Sequence, residues 1–374
     1  MSVVITGSDM VTCLGDADTT FKALIDGVSG ATPLRFVDPA KVQLTHSYQI
    51  DDGSPETAGR TARWLGGCIA GAVRAAGCDL IGRRVSVIVG TGLRELRAIE
   101  RWQVDGVPMG LADTHFGTAV RSILPDAVEV LTLANACAAS GYALGLAMDL
   151  LESGERDVVV VAGVDATTES MLAMIGRVGA QAPARVRPFD VDRHGVLLGE
   201  GAAAVVLERA VDVDAGRPIR ARLRGVGLTC DAYHETAPDP AGVLAAMRDA
   251  HRRAGLRPDE IGLVMAHGTG TQLNDPVEAA ALLEAFGEAA RPQVTGIKGA
   301  IGHTSGAAAL MGLLVAVEAM RISRIPPVVG LDTPIDEAHG LDLVTGRPAV
   351  TTARIAQVNA FGFGGVNAVA MVEV

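Results

Sequence analysis

Residues 128–162 have the sequence VEVLTLANACAASGYALGLAMDLLESGERDVVVVA. Two β-branched runs, Val128–Leu133 and Asp157–Ala162, flank the helix candidate Ala138–Ser153. A strand, a helix and a second strand in this order form a βαβ unit, in which the two strands lie parallel. The stretch therefore predicts an α/β protein with a mainly parallel sheet.

The same alternation of strands and helices continues along the whole chain. Helices Ala138–Ser153 and Ala307–Met320 are apolar on nearly all sides, which is typical of helices covered by protein on both faces. The other strand candidates are Val3–Thr6, Arg84–Val89, Ala202–Glu208, Ile219–Val226, Gly262–Ala266, Gln293–Thr295, Arg354–Asn359 and Ala368–Val374. The other helix candidates are Ala17–Gly27, Thr57–Ala76, Pro240–Ala254, Asp275–Phe286 and Thr304–Ile322.

A weak internal repeat divides the chain into two similar parts. VSVIVGTG (Val85–Gly92) resembles GLVMAHGTG (Gly262–Gly270), and each part closes on two late strands. Asp, Gly and Pro in segment 210–218 mark the joint between them. We therefore predict two pseudo-symmetric α/β halves, residues 1–209 and 219–374, whose mixed, mainly parallel sheets sandwich the buried helices.

Composition excludes several classes of protein. Among 374 residues, 32 basic and 43 acidic side chains give a net charge of −11, which argues against nucleic acid as the main ligand. No apolar run reaches the roughly 18 residues of a membrane-spanning helix, and no basic region precedes the first strand, so neither a membrane nor a signal peptide is expected. Five cysteines without a CxxC pair are typical of reduced thiols, and we predict a cytoplasmic protein.

Three reactive side chains each follow an apolar strand. Cys137 follows Val128–Leu133, His267 follows Gly262–Ala266, and His303 follows Gln293–Thr295 through a glycine-rich loop. Ligands of open α/β sheets bind at the carboxyl ends of strands, so these side chains can converge. A helix begins at Cys137, and its N-terminus is expected to lower the thiol pKa.

Each of these residues also has a purely structural interpretation. Free cysteine is commonly a small buried residue, and a single histidine after a strand is commonly a satisfied imidazole. Metal binding is disfavoured because the sequence has no HxxxH pair and no second cysteine near Cys137. A dinucleotide site is disfavoured because GTGLRE lacks the third glycine and GFGGVN leads into a strand. The sequence has neither GxxxxGK[ST] nor GxSxG.

Taken together, the motifs resemble those of the β-ketoacyl-acyl-carrier-protein synthases, the ketosynthases of the thiolase superfamily. The resemblance covers essentially the whole chain and keeps the motifs in order. The matching segments are VVITGSDMVTCLG (Val3–Gly15), NACAAS (Asn135–Ser140), RPFDVDRHGVLLGEGAAAVVLE (Arg187–Glu208), AHGTGTQLNDPVEAAAL (Ala266–Leu282), IKGAIGHTSGAA (Ile297–Ala308) and NAFGFGGVNA (Asn359–Ala368).

The resemblance implies a thiolase-like fold and a role for each site residue. It implies Cys137 as nucleophile, His267 and His303 as paired histidines and Lys298 as their support. It implies an oxyanion hole formed by the N–H groups of Cys137 and Phe363, with Phe363 also acting as gate. The residues implied at the pantetheine arm and acyl group are Thr269, Thr271, Gly362 and Gly364.

The implied activity is that of a free-standing ketosynthase. A Cys-bound acyl group would condense with malonyl-acyl carrier protein and release CO2, without a metal or cofactor beyond the phosphopantetheine arm of the carrier. The implied assembly is a homodimer, or a heterodimer with a second ketosynthase-like subunit. An acyltransferase without decarboxylation and a chain-length partner subunit are the alternatives; the retained histidines and Lys298 disfavour the first and Cys137 disfavours the second.

The sequence departs from the family pattern at several positions. The chain is shorter than usual for the family, and the shortfall is placed before Cys137. Asn135 and Val366 stand where Thr is common, and Met265 replaces an acidic residue. Gly312 stands where some fatty acid synthases carry Glu. These departures favour a polyketide or specialised pathway over housekeeping fatty acid synthesis.

Overall fold

The computed structural model describes residues 2–53, 59–178, 183–288 and 290–374. The strands in this part are β1 (Val3–Thr12), β2 (Gly15–Asp16), β3 (Thr32–Pro33), β4 (His46–Ser47), β5 (Val85–Thr91), β6 (Glu129–Ala134), β7 (Val158–Asp165), β8 (Gly201–Arg209), β9 (Ala221–Cys230), β10 (Leu263–Met265), β11 (Gln293–Thr295), β12 (Arg324–Ile325), β13 (Asp342–Leu343), β14 (Ala349–Val350), β15 (Ile355–Gly362) and β16 (Val366–Glu373). The helices are α1 (Ala17–Ile25), α2 (Pro39–Val42), α3 (Arg60–Ala76), α4 (Leu96–Asp105), α5 (Gly117–Ile123), α6 (Ala139–Glu152), α7 (Glu169–Val178), α8 (Pro240–Ala254), α9 (Asn274–Phe286), α10 (Lys298–Ile301) and α11 (Ala308–Arg321).

Two sets of five strands have the same order and direction. In the first set the order is β6-β5-β7-β8-β1, and in the second it is β11-β10-β15-β16-β9. The three outer strands of each set are parallel, and the remaining two pairings are antiparallel. A short antiparallel pairing of β1 with β9 joins the sets into one mixed sheet. The topology thus repeats along the chain, as the similarity of 85–92 to 262–270 indicates.

Helices α6 and α11 lie between the two sets of strands. Both contact each other and strands of both sets, whereas α3 packs on β1, β7 and β8 and α8 on β9 and β16. Most residues of α6 and α11 are buried, including Leu144 and Leu310. A helix that is apolar on all sides gains most when protein covers both faces, because burial of a large apolar side chain such as leucine stabilises the fold by about 1.5–3 kcal/mol.

The predicted elements recur, most of them with shifted ends; α8 and β11 have the predicted ends. Helix α11 begins at Ala308 rather than Thr304 because a 3-10 turn, Ser305–Ala307, precedes it, and β1 extends to Thr12 instead of ending at Thr6. Helix α3 begins at Arg60; the predicted start at Thr57 lies outside the described residues. Helix α4 was not predicted, and none of its residues is buried. In the described part of the chain, no helix has both the length and the apolar character needed to cross a bilayer.

Candidate active site

The strained turn after β6 presents Cys137. A 3-10 turn, Ala136–Ala138, joins β6 to α6, and Ala136 has φ 49°. A residue other than glycine rarely adopts this left-handed conformation, which costs about 1–3 kcal/mol. The second half repeats the geometry before α11, where Ser305 has φ 46° and Gly306 occupies the place of the thiol. A Cβ on Gly306 would lie 2.4 Å from backbone atoms of Thr91, so this position accepts only glycine.

A cavity of about 210 Å³ brings most of the predicted site residues together. Lys298 lies behind His267 rather than on the cavity wall. Gly364 is also off the wall: it is exposed, and its N–H donates to the carbonyl of Glu235 at 3.0 Å. The predicted residues on the wall are Cys137, His267, Thr269, Thr271, His303, Gly362 and Phe363.

The prediction that the helix N-terminus lowers the pKa of Cys137 is wrong. Burial raises the pKa of the thiol to about 11, and the nearby Asp165 carboxylate adds to the rise. The charge of Lys298 and the N–H groups of Phe363 and Cys137 itself act in the opposite direction but are outweighed. Removal of the thiolate from water therefore dominates over the helix N-terminus, and the resting group is a thiol at neutral pH.

His267 is fixed at both its backbone and its ring. Its N–H donates to Oε1 of Glu278 at 2.7 Å, while Nζ of Lys298 lies 3.2 Å from its Nδ1 and donates to its carbonyl oxygen. Burial, aided by the Lys298 charge, holds the pKa of His267 well below its usual range. The ring is therefore neutral, Nδ1 accepts from the ammonium, and the proton is on Nε2.

His303 reaches the same protonation state through a different partner. The N–H of Ser305 donates to its Nδ1 at 3.3 Å, so the ring proton is again on Nε2. Burial lowers its pKa well below the usual range, with a further contribution from the Lys298 charge. The ring centroids of His267 and His303 lie 5.3 Å apart at an angle of 85°. Two neutral imidazoles, each with an Nε2–H donor, thus line one cavity beside the thiol.

Lys298 supplies the positive charge of the site. It is 4% exposed, and burial lowers its pKa to about 8, opposed chiefly by the carboxylate of Glu278. At neutral pH the ammonium therefore keeps its proton. Its charge stabilises a Cys137 thiolate and disfavours protonation of both histidines.

Three buried carboxylates, Glu278, Asp275 and Asp165, hold the loops of the site, and the sequence analysis identified none of them. Glu278 accepts the N–H groups of His267 and Gly268, and Asp275 accepts those of Thr269 and Gly270. Asp275 lies in the first turn of α9, where acidic side chains are favoured, and Glu278 follows three residues later on the same face of the helix, a spacing that could have revealed the pair.

Asp165 joins the two halves at the site. It ends β7 and accepts N–H groups from Gly92 and Leu93 of the first half and from Gly306 of the second, at 2.7–2.9 Å. Burial raises its pKa to about 6, while these N–H groups favour the charged form. Asp165 could have been found from the sequence, because it lies at the carboxyl end of an apolar strand, the same position that drew attention to Cys137.

The loop after β15 approaches the thiol from the second half. A Cβ on Gly362 would lie 3.3 Å from the backbone nitrogen of Cys137. The N–H of Phe363 faces the sulfur, where it lowers the thiol pKa. The Phe363 side chain lines the cavity and is 43% exposed.

A thiol, two neutral Nε2–H donors, a buried ammonium and paired backbone N–H groups on this fold define the class of protein. The chain belongs to the β-ketoacyl synthase family, as the resemblance implied. The "Beta-ketoacyl synthase, N-terminal domain" matches residues 1–212, and the "Beta-ketoacyl synthase, C-terminal domain" matches residues 220–332. It is thus an acyltransferase-class condensing enzyme, and this prediction is confirmed.

Relatives match over nearly the full length of the chain. The 3-oxoacyl-[acyl-carrier-protein] synthase 2 of Mycobacterium bovis is 33% identical over 403 aligned residues, which include 98% of this chain and 95% of that protein. The protein of Vibrio cholerae with the same name is 29% identical, with 98% and 97% covered.

Solved structures confirm the predicted thiolase-like fold. The ishigamide ketosynthase/chain length factor superimposes with a TM-score of 0.90 at 31% identity, over 100% of this chain and 99% of that one. A type II polyketide ketosynthase in complex with its acyl-carrier protein gives a TM-score of 0.91 at 21% identity over the same shares, and at this identity it shows the fold alone.

Proposed function

We propose that this chain is a decarboxylating ketosynthase that condenses an acyl group on Cys137 with a malonyl thioester on an acyl carrier protein. The observation that carries the proposal is that both Nδ1 atoms, of His267 and of His303, are acceptors. Each ring therefore keeps an Nε2–H for an oxygen in the cavity. A reaction that only transferred an acyl group would not need this pair of donors.

The first half-reaction loads the enzyme. Cys137 attacks the thioester carbonyl, and the N–H groups of Cys137 and Phe363 stabilise the oxyanion. The carbon–sulfur bond to the carrier breaks, and the departing pantetheine thiolate takes the proton that the thiol of Cys137 loses. Acyl transfer therefore neither consumes nor releases a proton overall. It can start from a protonated Cys137, as the raised pKa of this thiol requires.

The second half-reaction forms the carbon–carbon bond. Malonyl thioester loses CO2, and the enolate oxygen accepts hydrogen bonds from Nε2–H of His267 and of His303. The enolate carbon attacks the acyl-Cys137 carbonyl, and the collapsing intermediate expels the Cys137 thiolate. One proton from solvent restores the thiol, so that charge and atoms balance.

The cavity offers a different lining to each part of such a substrate. Thr269 and Thr271 share a hydrogen bond of 2.9 Å between their hydroxyls at the wall proposed for the pantetheine arm. Apolar side chains suited to an acyl group are contributed by Met171, Ile175, Val196 and Leu198. The name of the Mycobacterium relative includes the acyl carrier protein, which supports that partner here. No other cofactor is part of the proposal.

We also propose a dimer, formed with a second copy or with a related subunit, in the cytoplasm. Strand β6 is an edge of the sheet, and its residues are half-buried or exposed rather than covered. Val128, the residue directly before this strand, is 57% exposed. An uncovered apolar edge is prone to pair with another chain. The similarity to the ishigamide ketosynthase/chain length factor supports a heterodimer as one form.

Intact-mass analysis tests the function. The protein is incubated with acyl carriers of graded chain length, and CO2 release from malonyl carrier is measured in parallel. The proposal predicts one acyl adduct on Cys137 and CO2 release. Adduct formation without CO2 release would indicate the acyltransferase alternative, and the absence of any adduct would indicate a chain-length partner.

A further inference from the structure

We propose that Gln357 and His251 are positioning residues for His267, acting through Asn359 and Glu278. The inference rests on the role proposed above for His267 as a donor to the enolate. These side chains form one continuous buried hydrogen-bonded chain from helix α8 to the catalytic loop. Gln357 and His251 lie outside the motifs that carry the family resemblance.

Three short hydrogen bonds link these side chains into one series. Nε2 of His251 lies 2.6 Å from Oε1 of Gln357, Nε2 of Gln357 lies 2.8 Å from Oδ1 of Asn359, and Nδ2 of Asn359 lies 2.9 Å from Oε1 of Glu278. The same Oε1 atom accepts the N–H of His267 at 2.7 Å. All five residues are at most 6% exposed.

The Glu278 carboxylate at the end of this hydrogen-bonded series determines which group donates and which accepts in every bond of the series. An ionised Glu278 only accepts, so Asn359 must donate to it and accept from Gln357. Gln357 must then accept from His251, whose proton is therefore on Nε2. Each amide can satisfy both neighbours in only one orientation, so the chain fixes Asn359 in the rotamer that holds Glu278.

The surroundings make these contacts hard to replace. Gln357 and Asn359 point from β15 into an otherwise apolar cluster that includes Phe286 and Met371. The ring of His251 packs edge-on against Phe286, with centroids 5.6 Å apart. These groups are almost inaccessible to solvent, and an orphaned buried polar group costs about 1–3 kcal/mol.

Glu278 carries the effect to the site. Its two oxygens hold the N–H groups of His267 and Gly268, and its charge keeps Lys298 protonated against burial. Loss of the donor from Asn359 weakens the ionised form of Glu278, whose pKa burial already raises. The N–H of His267 would then be held less firmly, and Lys298 at its Nδ1 would keep its proton less well, whereas Cys137 forms no hydrogen bond with the side chains of this series.

The test compares the two half-reactions in Gln357→Met, which keeps the side-chain length and removes both amide contacts. We expect CO2 release from malonyl carrier to fall about tenfold, with Cys137 acylation within about twofold of wild type, because, of the two lost hydrogen bonds, the one to Asn359 is the contact that orients Asn359 toward Glu278. The matched control is Thr295→Val, because Thr295 is fully buried in the same half and donates to Pro326, outside the chain. It should leave both rates unchanged.

Two outcomes would overturn the inference: unchanged CO2 release in Gln357→Met, or an equal loss of both rates. If that variant fails to fold, His251→Phe decides, because it keeps the ring contact with Phe286 and removes only the first donor. It should lower CO2 release about threefold, and no change would count against the chain.

Imidazole nitrogen NMR tests the chain without turnover. In wild type the proton of His251 should be on Nε2, and a proton on Nδ1 would contradict the proposed direction. If wild type releases no CO2, the decarboxylating function fails. The hydrogen-bonded series from His251 to Glu278 is then tested by NMR alone: Gln357→Met or His251→Phe should change the nitrogen chemical shifts of the His267 ring, and unchanged shifts would contradict the inference.

Discussion

Nζ of Lys298 lies 3.2 Å from Nδ1 of His267 and also donates to the carbonyl oxygen of that residue. One ammonium therefore fixes both the tautomer and the backbone of a single histidine. Its charge also disfavours the protonation of His303 and favours the thiolate of Cys137. Lys298 thus acts on the thiol and on both imidazoles without lining the cavity.

Replacement of Lys298 should impair decarboxylation more than acylation. In Lys298→Met the ring of His267 loses its Nδ1 partner and can turn or change tautomer. We expect CO2 release to fall by ~10²-fold, as for the loss of one oxyanion donor. Quenched-flow measurement of both half-reactions checks this, and equal losses in the two would contradict the division of roles.

The reactivity of Cys137 should rise with pH well beyond neutrality. Its pKa is raised to about 11, so the thiolate fraction increases about tenfold per pH unit between pH 7 and 10. Lys298, with a pKa lowered to about 8, loses its charge above that pH, so CO2 release should decline there. Alkylation by iodoacetamide, followed by mass from pH 6 to 11, checks the first point; a plateau reached by pH 8 would contradict it.

Removal of the Phe363 side chain should change access to the thiol. Because Phe363 is partly exposed and lines the cavity, Phe363→Ala should leave the fold intact, weaken acyl loading and alter the order of substrate entry. Loading rates with short and long acyl carriers measure this. Unchanged rates and unchanged chain preference would show that Phe363 is not a gate.

A glutamate at position 312 should destabilise this protein. A Cβ on Gly312 would lie 3.1 Å from Cγ of Met265 and 3.3 Å from Cγ1 of Val358. Gly312 and Met265, which both depart from the family pattern, therefore lie against each other in an apolar environment. Gly312→Glu would bury a carboxylate without a partner and lower the free energy of unfolding by about 3 kcal/mol or more. Urea unfolding measures it, with Gly312→Ala as the control that adds only a methyl group. Equal stability of the two variants would refute the argument.

The sequence was sufficient to predict the fold and the convergence of Cys137, His267 and His303 on one cavity, because those signals are local. The run of small and apolar residues around Cys137 predicts the strand, turn and buried helix, and the matching segments at 85–92 and 262–270 predict the repeat. Element ends shifted where 3-10 turns precede α6 and α11, since such turns leave no clear periodicity.

What the sequence did not provide depends on long-range contacts. The thiol pKa follows from burial by both halves, which overrides the local effect of the helix N-terminus. Asp165 gains its role only because Gly306, 141 residues away, folds against it. The same holds for the chain from His251 to Glu278, whose members come from α8, β15 and α9.

The most direct test of the central claim separates the half-reactions in two variants. Cys137→Ala should form no acyl adduct yet still release some CO2 from malonyl carrier, because decarboxylation needs no thiol. His303→Ala should acylate normally, while CO2 release falls by ~10²- to 10³-fold, the cost of one lost oxyanion donor. If His303→Ala instead blocks acylation while CO2 release persists, His303 activates the thiol, and the proposed roles are contradicted.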